Sequence, residues 1–236
     1  MKRLAIILTA AVLFLASCGA QGQKVGEMRH VSRTIQPEDA RSVRALLAMG
    51  AGELNVGGAA HALMEGDFSF NVSDWKPKVS YEVNGGKGEL SVKQGSSKGA
   101  RVGSGARNEW DVRLNDEVPT DLAVELGAGE SDLDLDSLTL TGLDLQMGAG
   151  KTTVDLTGAY DRDFDASVQG GVGQAMVMLP SEIGVKATAE GGLGKINATG
   201  LTREGDAYVN DAYGDSDVTL KVDVEGGVGE INLKVV

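Results

Sequence analysis

A short phrase recurs seven times along this chain: Gly-x-Gly, a polar residue, then apolar residues in alternation. It reads GAGELNV at Gly50, GKGELSV at Gly86, GAGESDLDL at Gly127, GAGKTTVDL at Gly148, GVGQAMVML at Gly171, GLGKINA at Gly192 and GVGEINLKV at Gly227. From Gly127 to Gly192 the steps are 21, 23 and 21 residues. Repetition at near-constant spacing means one structural unit stacked on itself. It also makes each GxG a piece of architecture before it is a phosphate loop.

The residues around the glycines read as strands. Leu122, Val124 and Leu126 share one parity before the glycines, and Leu133 and Leu135 share the other parity after them. Val218 to Val224 and Ile231 to Val235 repeat the pattern. A period of two marks a strand with one buried face. The change of parity says that the chain bends at each GxG. Glycine supplies the positive φ or the close backbone approach that such a bend needs. The structural turns are therefore expected at Gly50, Gly52, Gly127, Gly129, Gly148, Gly150, Gly171, Gly173, Gly192, Gly194, Gly227 and Gly229. A unit of this length holds two or three strands of ordinary length and buries its apolar face only by stacking. The expected fold is all-β, a right-handed parallel β-solenoid with GxG corners; the alternative is an antiparallel β-sandwich with GxG at hairpins.

The first residues carry an address. Lys2 and Arg3 precede an apolar run, Leu4 to Leu15, that is too short to span a bilayer. The run ends in Leu15-Ala16-Ser17-Cys18, which resembles the bacterial lipoprotein cleavage box. That resemblance implies a signal peptide over residues 1–17 and lipidation of Cys18, with acyl chains, palmitate among them, as the membrane anchor. Cys18 is the only cysteine, and lipidation would consume the thiol. Gly19 and Ala20 follow it with no aspartate. By resemblance to Gram-negative sorting this implies the outer membrane, and in a single-membrane bacterium the outer face of the plasma membrane. Without the signal peptide, 20 basic residues face 34 acidic ones, a net charge of −14. Such acidity opposes nucleic acid and anionic lipid surfaces as partners.

Four regions follow the signal. Residues 18–34 are polar without periodicity and read as a lipidated tether. Residues 35–94 form an N-terminal β domain; Pro37-Glu38-Asp39 resembles a helix start, but Arg41 to Met49 holds the place of the strands before later phrases and is read as a strand. Residues 95–108, rich in Gly, Ser and basic side chains, read as a loop or linker. Residues 109–236 carry the regular repeats, with Thr202 to Asp217 as an inserted loop. The C-terminal strand, Ile231 to Val236, has no polar cap after it. It is expected to be an open edge, covered by the chain itself or paired with an envelope protein by strand addition.

The segment from Val43 to Gln94 resembles the N-terminal toast-rack domain of bacterial envelope proteins. The likeness is carried by MGAGELNVGG at Met49 to Gly58, Ala-Leu-Met-Glu-Gly at Ala62 to Gly66, and VSYEVNGGKGELSVKQ at Val79 to Gln94. The later repeats are similar to the C-terminal domain of cell-wall-active antibiotic response proteins and to proposed adhesins with the same GxG coils. The resemblance implies an all-β solenoid, an envelope location, and a role in adhesion or envelope-stress response. The antibiotic-response proteins carry transmembrane helices before this domain, whereas this chain has the lipoprotein box.

Chemistry-bearing motifs are sparse. Gly148-Ala-Gly-Lys-Thr152 looks like the end of a phosphate loop, but the first glycine of that loop would fall on Leu145. Asp132, Asp134 and Asp136 project from one strand face and are weak Ca²⁺ candidates. A second series, Asp161, Asp163 and Asp165, fails the EF-hand pattern at Ala166 and Val172, and a third is Asp211, Asp215 and Asp217. A solvated outer face explains all three. His30 and His61 lack a serine or cysteine partner in a recognisable motif, and Trp75 and Trp110 read as packing residues. No catalytic residue, metal or cofactor is assigned. The expected function is a non-enzymatic, lipid-anchored envelope protein presenting a rigid β surface. The alternative is a polysaccharide-cleaving enzyme working through paired carboxylates on a β-helix.

Overall fold

Six strands of 15 to 17 residues form the centre of the molecule, and each carries one GxG near its middle. The computed structural model describes residues 25–96 and 103–236. The expected signal peptide, Cys18 and the start of the tether lie outside the described residues, as do residues 97–102 of the expected linker. In chain order the strands are β1 (Val25–Ile35), β2 (Ser42–Gly57), β3 (Met64–Val72), β4 (Lys78–Asn84), β5 (Lys87–Lys93), β6 (Asn108–Leu114), β7 (Thr120–Asp134), β8 (Leu140–Asp155), β9 (Phe164–Leu179), β10 (Gly184–Thr199), β11 (Thr202–Glu204), β12 (Ala207–Val209) and β13 (Thr219–Val235). Among the described residues one 3-10 turn, Ser73–Trp75, interrupts them.

The long strands pair in parallel in the order β2-β7-β8-β9-β13-β10. Each is one strand creased into two arms, where the sequence suggested two or three separate strands. The parity change follows from the crease. Before it Leu122, Val124 and Leu126 are buried, and after it Leu133 and Leu135 are buried. Short returns join the far ends, such as residues 135–139 between β7 and β8. The two arms of the stack thus close over one core that runs from Val43 to Leu233.

Chain order and stacking order differ at the end. β13 lies between β9 and β10, with a parallel neighbour on each side. The C-terminal strand is thus covered by the chain itself, the first of the two outcomes expected for it, and Ile231 and Leu233 are buried core residues. The segment that makes this possible is the insertion. β11 and β12 form a hairpin that pairs with the first arm of β10, and the chain then turns back under it. Among the described residues, the second arm of β10 has no neighbour on its outer side.

The N-terminal region closes the other end. The first arm of β2 pairs with β5, and its second arm pairs with β6, which continues to β3 and β1. β2 also pairs with β7 along both arms, so residues 35–94 and 109–236 share one sheet and one core. Two further expectations are corrected here, and the strand reading of Arg41 to Met49 holds, since β2 begins at Ser42. Residues 25–34, read as tether, belong to β1, an edge strand mostly exposed on both faces and held by pairing with β3, which leaves no periodicity to read. Pro37-Glu38-Asp39 forms a turn, with Ala40 N donating to Pro37 O at 3.0 Å, and begins no helix. The Gly86 phrase is no rung: Gly85 (φ 61°) and Gly86 (φ 80°) make the two-residue hairpin between antiparallel β4 and β5.

Candidate functional site: a groove along the glycine crease

Both glycines of each phrase have a steric cause. A Cβ on Gly127, Gly148, Gly171, Gly227 or Gly192 would overlap the carbonyl oxygen of the first glycine in the rung beneath it. A Cβ on Gly129, Gly150, Gly173, Gly229 or Gly194 would collide still more closely with the second glycine beneath. The second glycine of every rung also has positive φ, from 138° at Gly150 to 153° at Gly194, where a side chain is strained. Gly50 and Gly52 start the series on β2, and Gly52 meets Asn108 instead of a glycine.

Removing side chains from one line of a sheet leaves a trough. A groove of about 1360 Å³ runs along the crease past all six rungs. Its floor includes Gly50, Gly127, Gly148, Gly171, Gly227 and Gly192. Its wall is the outward residue two positions earlier. In register these are Ala48, Glu125, Gln146, Gln169, Glu225 and Glu190, five long polar side chains on adjacent rungs. At a strand spacing of roughly 4.8 Å the six rungs extend over about 24 Å. Lys93, Gln94 and Trp75 stand at the β2 end.

That end is closed by a side-chain network. Gln94 Oε1 accepts from Gly50 N (2.8 Å) and Ala51 N (3.3 Å). Asn108 Nδ2 donates to Ala51 O and to Gln94 Oε1, both at 3.0 Å, and Trp110 Nε1 donates to Asn108 Oδ1 at 3.0 Å. Trp110 in turn packs edge-on against Phe68, with ring centroids 5.2 Å apart. No periodic signal marks Gln94 and Asn108 in the sequence, because each occurs once and neither belongs to a repeat. The Glu/Gln wall does carry a signal: a long polar residue two places before the first glycine, as in Glu125, Gln146, Gln169, Glu190 and Glu225.

The other singled-out residues lie apart. Asp132, Asp134 and Asp136 are exposed, and among the described residues no three acidic, histidine or cysteine side chains are placed to hold a metal. Burial and the neighbouring Asp134 carboxylate raise the pKa of Asp136. Asp163 Oδ1 accepts from Thr219 N at 2.7 Å, which ties the start of β13 to the loop before β9. Asp161 pairs with Arg162 at 2.9 Å. Asp211, Asp215 and Asp217 stay on the surface insertion. His30 meets Ser69 on β3 at 2.8 Å, and His61 is exposed. Thr152, within the phosphate-loop lookalike, is buried, and its hydroxyl lies 2.6 Å from that of Ser131. Among the described residues, the groove's carboxylates are Glu125, Glu190 and Glu225, all on one wall.

The chain resembles a solved structure of a proposed cell adhesion protein from Clostridium sporogenes, with 38% identity over 89% of this chain and 100% of that one and a TM-score of 0.87. A proposed adhesin from Parabacteroides merdae is matched over 89% of this chain and 97% of its own, at 12% identity and a TM-score of 0.28, too low to say anything of this chain. No curated protein matches. Residues 24–178 match the N-terminal domain of toast_rack, DUF2154, a stretch that begins beside β1 and ends in β9, well beyond Val43 to Gln94. The chain belongs to the toast-rack family.

Proposed function

We propose that this is a non-enzymatic binding protein of the bacterial envelope, lipid-anchored through Cys18, that offers the crease groove to an extended ligand in adhesion. The observation that carries the reading is the groove itself, a straight trough with a bare backbone floor and one wall of evenly spaced amides and carboxylates. Such a surface binds by many weak hydrogen bonds in register, which suits a linear polymer such as a glycan or an extended peptide. Stacking contributes little, since Trp75 is the one aromatic residue in the lining and is 9% exposed. The name of the Clostridium sporogenes relative supports an adhesive role, and the Leu15-Ala16-Ser17-Cys18 box supports the anchor. The coil is read as right-handed, the hand that parallel crossovers favour. The edge open to strand addition by a protein partner is the second arm of β10.

Two measurements test this. Cys18→Ser should move the protein from the membrane fraction to the soluble fraction; unchanged membrane association would end the anchor reading. A fragment comprising residues 24–236 should be retained on isolated envelopes or on a glycan and peptide array. The Gln146→Leu/Gln169→Leu variant should lose that retention while keeping its melting temperature. Retention by neither protein, or equally by both, would remove the groove from the function.

A further inference from the structure

Across the crease, each rung places one inward-facing residue just before the glycines and one just after them; these are buried on β2, β7 and β8, while on the last rung, β10, Gly191 and Ile196 are exposed. In stacking order these pairs are Met49 and Leu54, Leu126 and Ser131, Met147 and Thr152, Gly170 and Ala175, Gly226 and Ile231, and Gly191 and Ile196. On β7 and β8 the large member precedes the crease. On β13 and β10 it follows the crease, and the Ile side chains reach over their glycines: a Cβ on Gly226 would lie 3.1 Å from Ile231 Cδ1, and one on Gly191 3.8 Å from Ile196 Cδ1. β9 is the changeover, and both of its members are small. A Cβ on Gly170 would meet no side chain within 4 Å.

The missing volume is there as a cavity of about 170 Å³ spanning β9, β13 and β10. Met147 closes its inner end, and Ala175, Ile231 and Ile196 line its side. Leu193, 73% exposed, stands at the rim where the stack ends. The equivalent positions nearer the β2 end are filled by Met49 and Leu126, so the cavity is confined to the end without a cap.

We propose that this cavity binds one linear alkyl chain bearing an uncharged head group. The shape selects a chain. The cavity crosses three rungs, two strand spacings or roughly 10 Å, so its 170 Å³ suits an elongated occupant that lies across β9, β13 and β10. Its inner lining is apolar side chain and glycine backbone, which recognises hydrocarbon by burial alone. Charge selects the head. The rim carries Glu225 and Glu230 against Lys195, so an anionic head meets net repulsion.

The probe is 1-octanol, added to a fragment comprising residues 24–236 with methyl-labelled methionine. Octanol should shift the Met147 methyl resonance saturably and leave that of Met49 in place. Affinity should rise from butanol to octanol, and octanoate should bind at least several-fold more weakly. Ala175→Leu should abolish the Met147 shift without lowering the melting temperature. If that variant fails to fold, Gly170→Ala, whose added methyl meets only Glu225 O at 3.8 Å, should weaken octanol binding several-fold. Phosphatidylcholine vesicles form a separate arm: a Met147 shift there identifies membrane acyl chains as a source, and its absence leaves free amphiphiles. No Met147 shift with octanol, equal shifts at Met49, or undiminished binding by the filled variants would overturn the proposal.

Discussion

The α-carbon of Gly129 faces the carbonyl oxygen of Gly52 so closely that any Cβ would overlap it, and the same relation recurs from rung to rung. Two effects act at Gly129, the clash and the positive φ of 139°. They can be separated. Gly205 also has positive φ (62°), but a methyl added there would meet nothing within 4 Å. Gly205→Ala is expected to cost about 1–2 kcal/mol, the strain of the left-handed backbone alone. Gly129→Ala should cost more than about 4 kcal/mol or prevent folding, since the rungs must part to admit the methyl. Urea unfolding midpoints of the two variants check this, and equal costs would show that the stack is looser than its register implies.

Asn108 is the pivot of the cap at the β2 end. Its amide donates to two oxygens, Ala51 O and Gln94 Oε1, and its own oxygen accepts from Trp110. In Asn108→Asp an ionised carboxylate faces both of those acceptors, and the loss should be about 3 kcal/mol or more at pH 7. The pH dependence has a definite sign. Burial and facing oxygens raise the folded-state pKa of the new carboxyl above its unfolded value, so the folded state favours the protonated form. The variant should be closest to the parent below the unfolded value, about 3.9, and should lose stability as pH rises through the folded value. A variant whose deficit is flat from pH 4 to 8 would contradict this network.

The sequence legibly encodes what repeats and hides what occurs once. Alternation around Leu122 to Leu126 and Leu133 to Leu135 marks strands with a buried face, and the six stacked GxG phrases fall in register. The Gly86 phrase carries the same letters for another purpose, because a type I′ hairpin and a close rung approach both ask for glycine. β1 is hidden because a strand exposed on both faces has no apolar period to display. The position of β13 is illegible because nothing local in Thr219 to Val235 says which rungs it will lie between. Stacking order is fixed by the insertion before it. The groove wall is written in the sequence as a recurrent Glu or Gln, but its meaning depends on rungs being in register, which only the pairing shows.

Asp136 sits beside Asp134 and near Asp155, with its pKa raised chiefly by burial and then by these carboxylates. A raised folded-state pKa means that the contribution of Asp136 to stability is fully present below its unfolded value and is lost as pH rises through the folded one. Asp136→Asn removes the repulsion. At pH 7 it should raise the melting temperature by about a degree, a small gain because the residue is solvent-exposed. Below about pH 4 the difference should vanish, since the parent carboxyl is then protonated. A gain that persists unchanged at pH 3 would point to a cause other than charge.

Asn210 fixes the route by which the last strand enters the stack. Its Nδ2 donates to Pro180 O (3.1 Å) and Ile183 O (2.7 Å), and its Oδ1 accepts from Val185 N (2.9 Å). Pro180 to Ile183 is the short link that carries the chain from β9 to β10 past the place β13 will occupy. One buried amide thus holds that link to the insertion that sends β13 back between them. Asn210→Ala leaves two carbonyls and one N–H without partners and should cost about 2–4 kcal/mol. The loss should be local first. Amide exchange should speed up in β12 and the first arm of β10 before β7 and β8 respond, since those rungs keep both neighbours. Uniform acceleration across the whole stack would mean that the rungs unfold as one unit and that Asn210 guards no separate step.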